Sequence, residues 1–198
     1  MKANADSSKV SVLVITSDMD AFMNLQKCLD SDYALQRLED ARDPKDIGIP
    51  GAQQDIVIIL RADLSAIYLE GLQGLIAETP MPVILFLKSD PEHLAPAAIR
   101  YGITSVVVDG FEAKRVPTLI DVSIERFKLD QALRRELSKS QEELAARKVI
   151  ERAKGLLMEK KQLDEQSAYR KLRQLAMHQS KTIKEVSETL ILYSEILP

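Results

Sequence analysis

Residues 144–191 read LAARKVIERAKGLLMEKKQLDEQSAYRKLRQLAMHQSKTIKEVSETLI, and their apolar pattern predicts how the C-terminal part of the chain folds. Apolar side chains recur every three or four residues, which is the spacing of one helix face. Asp164 has the position of an N-cap residue, and Thr182 with Glu185 has the spacing of a capping box. The pattern predicts three helices with a shared core of Ile150, Ala153, Leu156, Leu157, Ala168, Leu172, Leu175, Ala176, Ile183, Val186, Leu190 and Tyr193.

This stretch is basic although the protein is acidic. Residues 147–184 hold eleven lysines and arginines against four acids, a net charge of about +7, whereas the whole chain has a net charge of −3. Such a local basic surface indicates a directed contact with a polyanion. Residues 1–120 carry −6 and residues 147–198 carry +4, so the charge distribution also favours two units with different roles.

Composition and spacing argue against several classes of protein. No run of about 18 apolar residues is present, so a membrane span is not expected. The N-terminus MKANADSSKV has no apolar signal core, which predicts a cytoplasmic protein. Cys28 is the single cysteine and is expected to be a buried structural thiol. Without a Gly-rich phosphate loop, a nucleophile constellation or metal-ligand spacing, we expect no enzyme activity, no catalytic residue, no metal and no cofactor.

The first 120 residues alternate short apolar runs with helical patterns. The predicted strands are 10–15 (VSVLVI), Ala34–Leu38, Asp55–Leu60, Pro82–Leu87 and Thr104–Val108, and the predicted helices are 19–30, Ile67–Thr79 and Pro91–Tyr101. Alternation of this kind predicts a parallel sheet covered by helices on both faces. Five such units predict an α/β, flavodoxin-like doubly wound domain.

This region resembles a response-regulator receiver domain, most clearly in PVILFL at 82–87 and VVVDGF at 106–111. The resemblance implies a phosphoacceptor site that needs carboxylates for Mg²⁺, an acceptor aspartate, a hydroxyl and a lysine. The residues at or beside those positions in this chain are Thr16, Ser17, Asp18, Leu60, Leu87 and Asp109.

These substitutions predict a pseudo-receiver that cannot be phosphorylated. Leu60, at the acceptor position, has no oxygen to bind a phosphoryl group, and Asp109, at the lysine position, cannot neutralise one. If the alignment is shifted by a few residues, Asp63 is instead the nearest acid that could serve as acceptor.

A helical stem is predicted between the two units. Residues 117–163 contain no proline after Pro117, and only Gly155 interrupts the helical pattern. Leu133, Leu137 and Leu144 fall at spacings of four and seven, with Ser140 at the intervening position, which resembles two weak heptads. The stem is therefore expected to pair, as a homodimer or with a partner, rather than to stand alone as a solvated linker.

The C-terminal stretch resembles the ANTAR domain of the AmiR and NasT regulators. The resemblance is carried by Arg147-Lys-x-Ile150, Ala153-Lys-Gly-Leu-Leu-Met158, Glu165-x-x-Ala-Tyr169, Leu172-Arg173-x-x-Ala176-Met177 and Glu185-Val186. Two departures are Gln162, where a glycine often ends the first helix, and Ser187, where alanine is usual. VVVDG and the segment from Ile124 to Met158 look closer to the NasT type than to AmiR.

The resemblance implies an RNA-binding transcription antiterminator that controls nitrate and nitrite assimilation genes. It further implies leader RNA hairpins with paired hexaloops as the target, and a NasS-like nitrate-sensing protein as the controlling partner. The residues expected to contact RNA are Arg147, Lys148, Lys154, Gly155, Tyr169, Arg170, Lys171, Arg173 and Lys181. Ala153, Leu157 and Met177 are expected in the core, and Gly155 is explained by close approach of another helix or of RNA.

Three units are therefore predicted: a pseudo-receiver at 1–120, a stem at 121–143 and an RNA-binding ANTAR domain at 144–198. The alternative is a DNA-binding response regulator with a helix-turn-helix output. Its recognition helix would have to lie against DNA phosphates, but the third predicted helix offers Lys184 alone against three glutamates. A purely dimerising adaptor is a third alternative.

Overall fold

The computed structural model describes residues 9–29, 32–40, 44, 54–90 and 92–196. The chain divides into two compact units, Met1–Gln131 and Ala132–Pro198. The predicted boundaries at 120 and 143 stay predictions. No helix in the described ranges is long and apolar enough to cross a membrane.

The first unit is a five-stranded parallel sheet with helices between its strands. Its elements are β1 Val10–Ile15, α1 Met19–Cys28, β2 Tyr33–Leu38, β3 Ile56–Arg61, α2 Ala66–Glu78, β4 Val83–Leu87, α3 Ala95–Arg100 and β5 Ser105–Val108, then a short 3₁₀ helix, Ala113–Arg115. The strand order is β2-β1-β3-β4-β5, and every pair is parallel. The predicted flavodoxin-like, doubly wound α/β class is confirmed.

Both faces of this sheet are buried because successive strand residues point to opposite sides. Leu13, Val57 and Leu85 belong to a core completed by α2 and α3. Val12 and Ile58 belong to a second core, completed by α1 and by the start of the helix that follows β5. This two-sided burial explains why the central strands are continuous apolar runs in the sequence.

One predicted helix begins later than expected. The Pro91–Tyr101 prediction placed Pro91 in the first turn, but α3 begins at Ala95 and has a proline within its first two positions. The carboxylate of Asp90 accepts hydrogen bonds from the N–H groups of Leu94 (2.8 Å) and Ala95 (3.0 Å), so it satisfies the helix start from outside. Pro91 itself lies outside the described residues.

A single helix, α4, runs from Val116 to Lys161 and includes the predicted stem. Two shorter helices follow it, α5 Glu165–Gln179 and α6 Ile183–Ile196. The predicted N-cap is present, because the Asp164 carboxylate accepts a hydrogen bond from the Ser167 N–H at 2.6 Å. The predicted capping box is also present. Thr182 Oγ1 accepts from the Glu185 N–H, and Glu185 Oε2 accepts from the Thr182 N–H.

The core of the second unit is small and built largely from alanine and leucine. Its buried members are Ala153, Leu157, Ala168, Leu172, Ala176 and Val186. Ser187 is also buried, and its hydroxyl donates to the Ile183 carbonyl at 2.7 Å, so the replacement of alanine is accommodated. The predicted burial of two core residues is wrong. Met177 is 73% exposed and Tyr193 is 61% exposed, because both lie on the outer side of their helices.

Helix α4 ends at the position where glycine is usual, although this chain has glutamine there. Gln162 adopts a left-handed backbone with φ of 52°. A side chain in this region costs roughly 1–2 kcal/mol compared with glycine.

We therefore expect Gln162→Gly to raise the free energy of unfolding by about 0.5 kcal/mol or more, since relief of the left-handed penalty exceeds the loss of chain entropy that glycine brings. Urea unfolding followed by far-UV circular dichroism measures the change. Gln162→Ala keeps the Cβ atom and is the matched control, for which no gain is expected. A glycine variant no more stable than the alanine variant would contradict this prediction.

Candidate functional site

The carboxyl edge of the receiver-like sheet holds an open cavity of about 830 Å³. Its lining includes five of the six residues predicted for the degenerate phosphoacceptor site: Ser17, Asp18, Leu60, Leu87 and Asp109. Thr16 is fully buried behind the edge, and its hydroxyl accepts a hydrogen bond from the Asp18 N–H at 3.0 Å. The topology thus gathers these positions, as expected where parallel strands end at a switch point.

The chemistry of this edge differs from that of a phosphoacceptor. Leu60 and Leu87 are buried and offer no oxygen atom. Asp18 caps α1 by accepting from the Ala21 N–H at 2.9 Å, and the Lys88 ammonium lies 3.5 Å from its carboxylate. The hydrogen bond from Ala21, and next the charge of Lys88, lower the pKa of Asp18. In the described part of the chain, no group of three or more His, Cys, Asp or Glu residues could hold a metal ion.

A partly buried cluster of Asp40, Arg61 and Tyr68 beside Leu60 was not predicted from the sequence. The guanidinium of Arg61 forms an ion pair with Asp40 and stacks over the Tyr68 ring, 3.7 Å from its centre. The Tyr68 hydroxyl donates to Asp40 at 3.0 Å. Burial, and then the negative charge of Asp40, raise the pKa of Tyr68. The only sequence signal was an arginine at the end of the apolar run of β3, where a strand leaves the core.

Asp63, the alternative acceptor, also lines the cavity and is exposed. Leu60 is the penultimate residue of β3, which ends at Arg61. In the sheet register, Leu60 pairs with Phe86 and Arg61 pairs with Leu87. Asp63 as the alternative acceptor stays a prediction.

A second candidate surface lies on α5, which carries an exposed line of large side chains. Tyr169, Arg173 and Met177 are spaced by four residues, and Arg170 lies beside them, three residues before Arg173. We call these four residues the α5 stripe. Tyr169 is 43% exposed and Met177 is 73% exposed. Arg170 and Arg173 are exposed and form no ion pair within the described residues.

The other predicted cations are separated from this line. Lys171 is exposed but lies on the opposite flank of α5, since helical spacing turns it well away from Tyr169 and Arg173. Lys148 lines a shallow groove of about 440 Å³ together with Ile191 and Leu192 of α6. Arg147 is exposed on α4, and Lys181 is exposed in the link before α6.

Gly155 is exposed on α4, and a Cβ atom built there meets nothing within 4 Å among the described residues. Close approach of another helix, one of the two predicted explanations, is therefore wrong. Contact with an RNA backbone stays a prediction.

Lys154 is expected to contact RNA, but the structure does not leave it open to solvent or to a ligand. Lys154 is only 7% exposed. The ammonium lies 2.9 Å from both carboxylate oxygens of Glu151 and 2.6 Å from Oε1 of Glu165. Hydrogen bonds to Glu165 and Glu151 raise the pKa of Lys154, and the same ion pair lowers the pKa of Glu165. The pairing with α5 keeps this lysine charged but out of solvent.

Comparisons with known proteins show which family model and which curated proteins this chain is similar to. Residues 138–191 match the family model of the ANTAR domain. The chain is similar to the transcriptional regulatory protein PdtaR of Mycobacterium tuberculosis, with 29% identity over 110 residues, covering 56% of this chain and 54% of PdtaR. The chain thus spans about half the length of the curated relatives it matches.

Two solved structures share the fold. Full-length FixJ from B. japonicum covers 96% of this chain and 99% of its own length, with 18% identity and a TM-score of 0.52. NtrX from Brucella abortus, solved in complex with ADP, covers 73% of this chain and 34% of its own length, with 21% identity and a TM-score of 0.51. The chain therefore combines a receiver-like α/β unit with an ANTAR domain at residues 138–191.

Proposed function

We propose that the chain is an RNA-binding transcription antiterminator without enzyme activity. The ANTAR match at residues 138–191 supports this function. Similarity to PdtaR, which is named a transcriptional regulatory protein, supports a role in gene regulation. The proposed organisation is a pseudo-receiver at 1–120, a stem at 121–143 and an RNA-binding domain at 144–198.

The α5 stripe is the observation that carries the proposal. Unpaired loop bases of RNA stack on aromatic rings and on guanidinium planes, and arginine binds phosphate in a bidentate manner. Tyr169, Arg170 and Arg173 offer these groups side by side on an exposed helix face. We infer that the target is a hairpin loop in a leader RNA, and that binding prevents formation of a terminator.

A DNA-binding output is not favoured by α6. Lys184, its basic residue, lies 3.8 Å from Glu188, and Glu185 is engaged in the capping box. A helix with this charge would be repelled by the phosphates that line a DNA groove. The exposed arginines that could contact a polyanion, Arg147, Arg170 and Arg173, lie on α4 and α5.

Control by a partner, rather than by phosphorylation, is the regulatory part of the proposal. It is supported by leucines at two of the phosphoacceptor positions. The resemblance to NasT-type regulators suggests nitrate and nitrite assimilation genes as the target and a NasS-like nitrate sensor as the partner. We also propose a homodimer through the stem. It is supported by Leu133, Leu137 and Leu144, which are 55–59% exposed on α4.

The pseudo-receiver is expected not to react with phosphodonors, because Leu60 provides no acceptor oxygen. Incubation with acetyl phosphate and Mg²⁺, followed by intact mass measurement, should show no adduct. A receiver domain that retains its acceptor aspartate, treated alongside, controls for the activity of the donor. An acid-labile phosphate on Asp63 or Asp18 would overturn the prediction.

The stem is expected to mediate pairing, because its exposed leucines gain burial only against a second helix. Leu137→Glu with Leu144→Glu should lower the mass of the oligomer in sedimentation, or weaken binding of the partner. Ser138→Glu with Ala145→Glu adds the same charge one residue further on, at the flank of the helix, and should have a smaller effect. If the wild-type protein stays monomeric at high concentration and in the presence of its sensor, the hypothesis that the stem mediates pairing is wrong.

The α5 stripe is expected to bind RNA. Arg170→Ala with Arg173→Ala should weaken binding of a paired-hexaloop hairpin by about tenfold or more, since each hydrogen bond to a charged group is worth roughly 1.5–3 kcal/mol. Arg147→Ala should have a smaller effect in the same direction. Each lost phosphate contact should also reduce the salt dependence of binding by about one unit of slope.

The matched control is Lys27→Ala with Lys114→Ala, which removes two exposed positive charges from the first unit. Its affinity should stay near that of the wild type, and all variants should keep their stability within about 0.5 kcal/mol. Binding is measured by titration against the hairpin and against duplex DNA. Full affinity in the α5 variant, or a preference for duplex DNA, would rule out the antiterminator function.

A further inference from the structure

We propose that Lys154 is a positioning residue, which ties α4 to the first turn of α5 and so sets where the α5 stripe lies, and that it does not itself contact RNA. This inference rests on the RNA-binding function proposed above. It replaces the RNA contact that the sequence predicts for Lys154 with a structural role.

The hydrogen bonds of Lys154 leave no donor for a phosphate. A lysine ammonium has three N–H groups. Three carboxylate oxygens surround it, two from Glu151 and one from Glu165, at 2.6–2.9 Å. With a side chain 9% exposed, the ammonium is also shielded from an approaching ligand.

The charge of the whole group argues in the same direction. One ammonium and two carboxylates give this group a net charge of −1, so the group itself does not attract a phosphate. Glu151 and Glu165 are themselves 59% and 69% exposed. A phosphate that displaced either carboxylate would leave that carboxylate beside the phosphate, and like charges at this distance repel.

The ion pair between Lys154 and Glu165, here called the tie, lies at the start of α5. Glu165 is the first residue of α5, directly after the Asp164 N-cap. Tyr169 and Arg173 follow Glu165 at four and eight residues, on the same flank of α5. The ion pair of Lys154 with Glu165 therefore fixes the direction in which this flank of α5, with the α5 stripe, faces.

The other end of the tie carries a second exposed cation. Arg147 precedes Lys154 by seven residues, which places it two turns earlier on nearly the same flank of α4. The ion pair with Glu165 thus aligns the flank of α4 that bears Arg147 with the flank of α5 that bears Tyr169 and Arg173. The chain segment between the two helices is only three residues long, 162–164, and the apolar core is their other contact.

The test compares two variants of the full chain, Lys154→Met and Glu165→Gln. If Lys154 positions the helices, both variants should weaken binding to the hairpin severalfold, and the slope of log affinity against log salt should stay at its wild-type value. If Lys154 contacts phosphate, Lys154→Met should reduce that slope by about one. Glu165→Gln would then tighten binding, because it frees a cation and removes a negative charge. Either of these results would overturn the proposal.

A charge exchange separates positioning from contact in a second way. Lys154→Glu should weaken binding, and adding Glu165→Lys should restore much of the loss, since the pair then joins the same helices with reversed polarity. A residue that contacts RNA would not be rescued by moving its charge to the other helix. Failure of the exchange to recover any affinity, with the fold retained, would count against positioning.

Hydrogen exchange provides a measurement that does not depend on RNA. In Lys154→Met, the amides of the first turn of α5, including Ser167 and Ala168, should exchange faster than in the wild type. Lys139→Met, an exposed lysine of α4, is the control and should leave that turn unchanged. Unchanged exchange in Lys154→Met overturns the tie. Faster exchange in a chain that binds no hairpin would keep the tie and overturn the proposed function instead.

Discussion

Burial of both faces of β1, β3 and β4 is the constraint on which the receiver-like unit depends. Side chains of one strand serve two cores, so almost every residue of these strands must be apolar. In this chain the apolar run of β3 continues through Leu60, and that of β4 through Leu87, up to the carboxyl edge of the sheet. The burial that stabilises the sheet therefore places leucine side chains at two positions predicted for the degenerate phosphoacceptor site.

The cavity at that edge keeps polar side chains, but the protein itself engages several of them. Asp40 is bound by Arg61 and Tyr68, and Asp18 by the Ala21 N–H and Lys88. An ion pair as buried as Arg61–Asp40 is retained only where hydrogen bonds satisfy its remaining groups, and the Tyr68 hydroxyl supplies one of these. The edge thus combines a receiver-like fold with side chains that are held by contacts within the protein.

The second unit depends on local contacts because its core is small. Alanines at three core positions let the helices approach closely, but they bury little apolar area. The helix ends are therefore satisfied individually, by Asp164 before α5 and by the capping box before α6. Lys154 adds a contact between α4 and α5 that the apolar core cannot provide, and it leaves the outer face of α5 to Tyr169, Arg170, Arg173 and Met177.

Most helices and strands of this protein could be predicted from the sequence, although α3 begins four residues later than expected. Strand positions were predicted within one residue. For β1, β3 and β4 the signal was a continuous apolar run, which can be recognised without knowing the neighbouring strands. Caps were predicted because an N-cap bonds to a backbone only three residues away. Tertiary structure decided which charged side chains are available. Asp40 meets Arg61 from 21 residues away, and Glu165 meets Lys154 from 11 residues away. Helical periodicity gives a side chain's direction relative to its own helix, but it does not show which carboxylate lies opposite. For that reason Lys154, which the sequence placed among the RNA contacts, is buried in the structure and paired with two exposed glutamates.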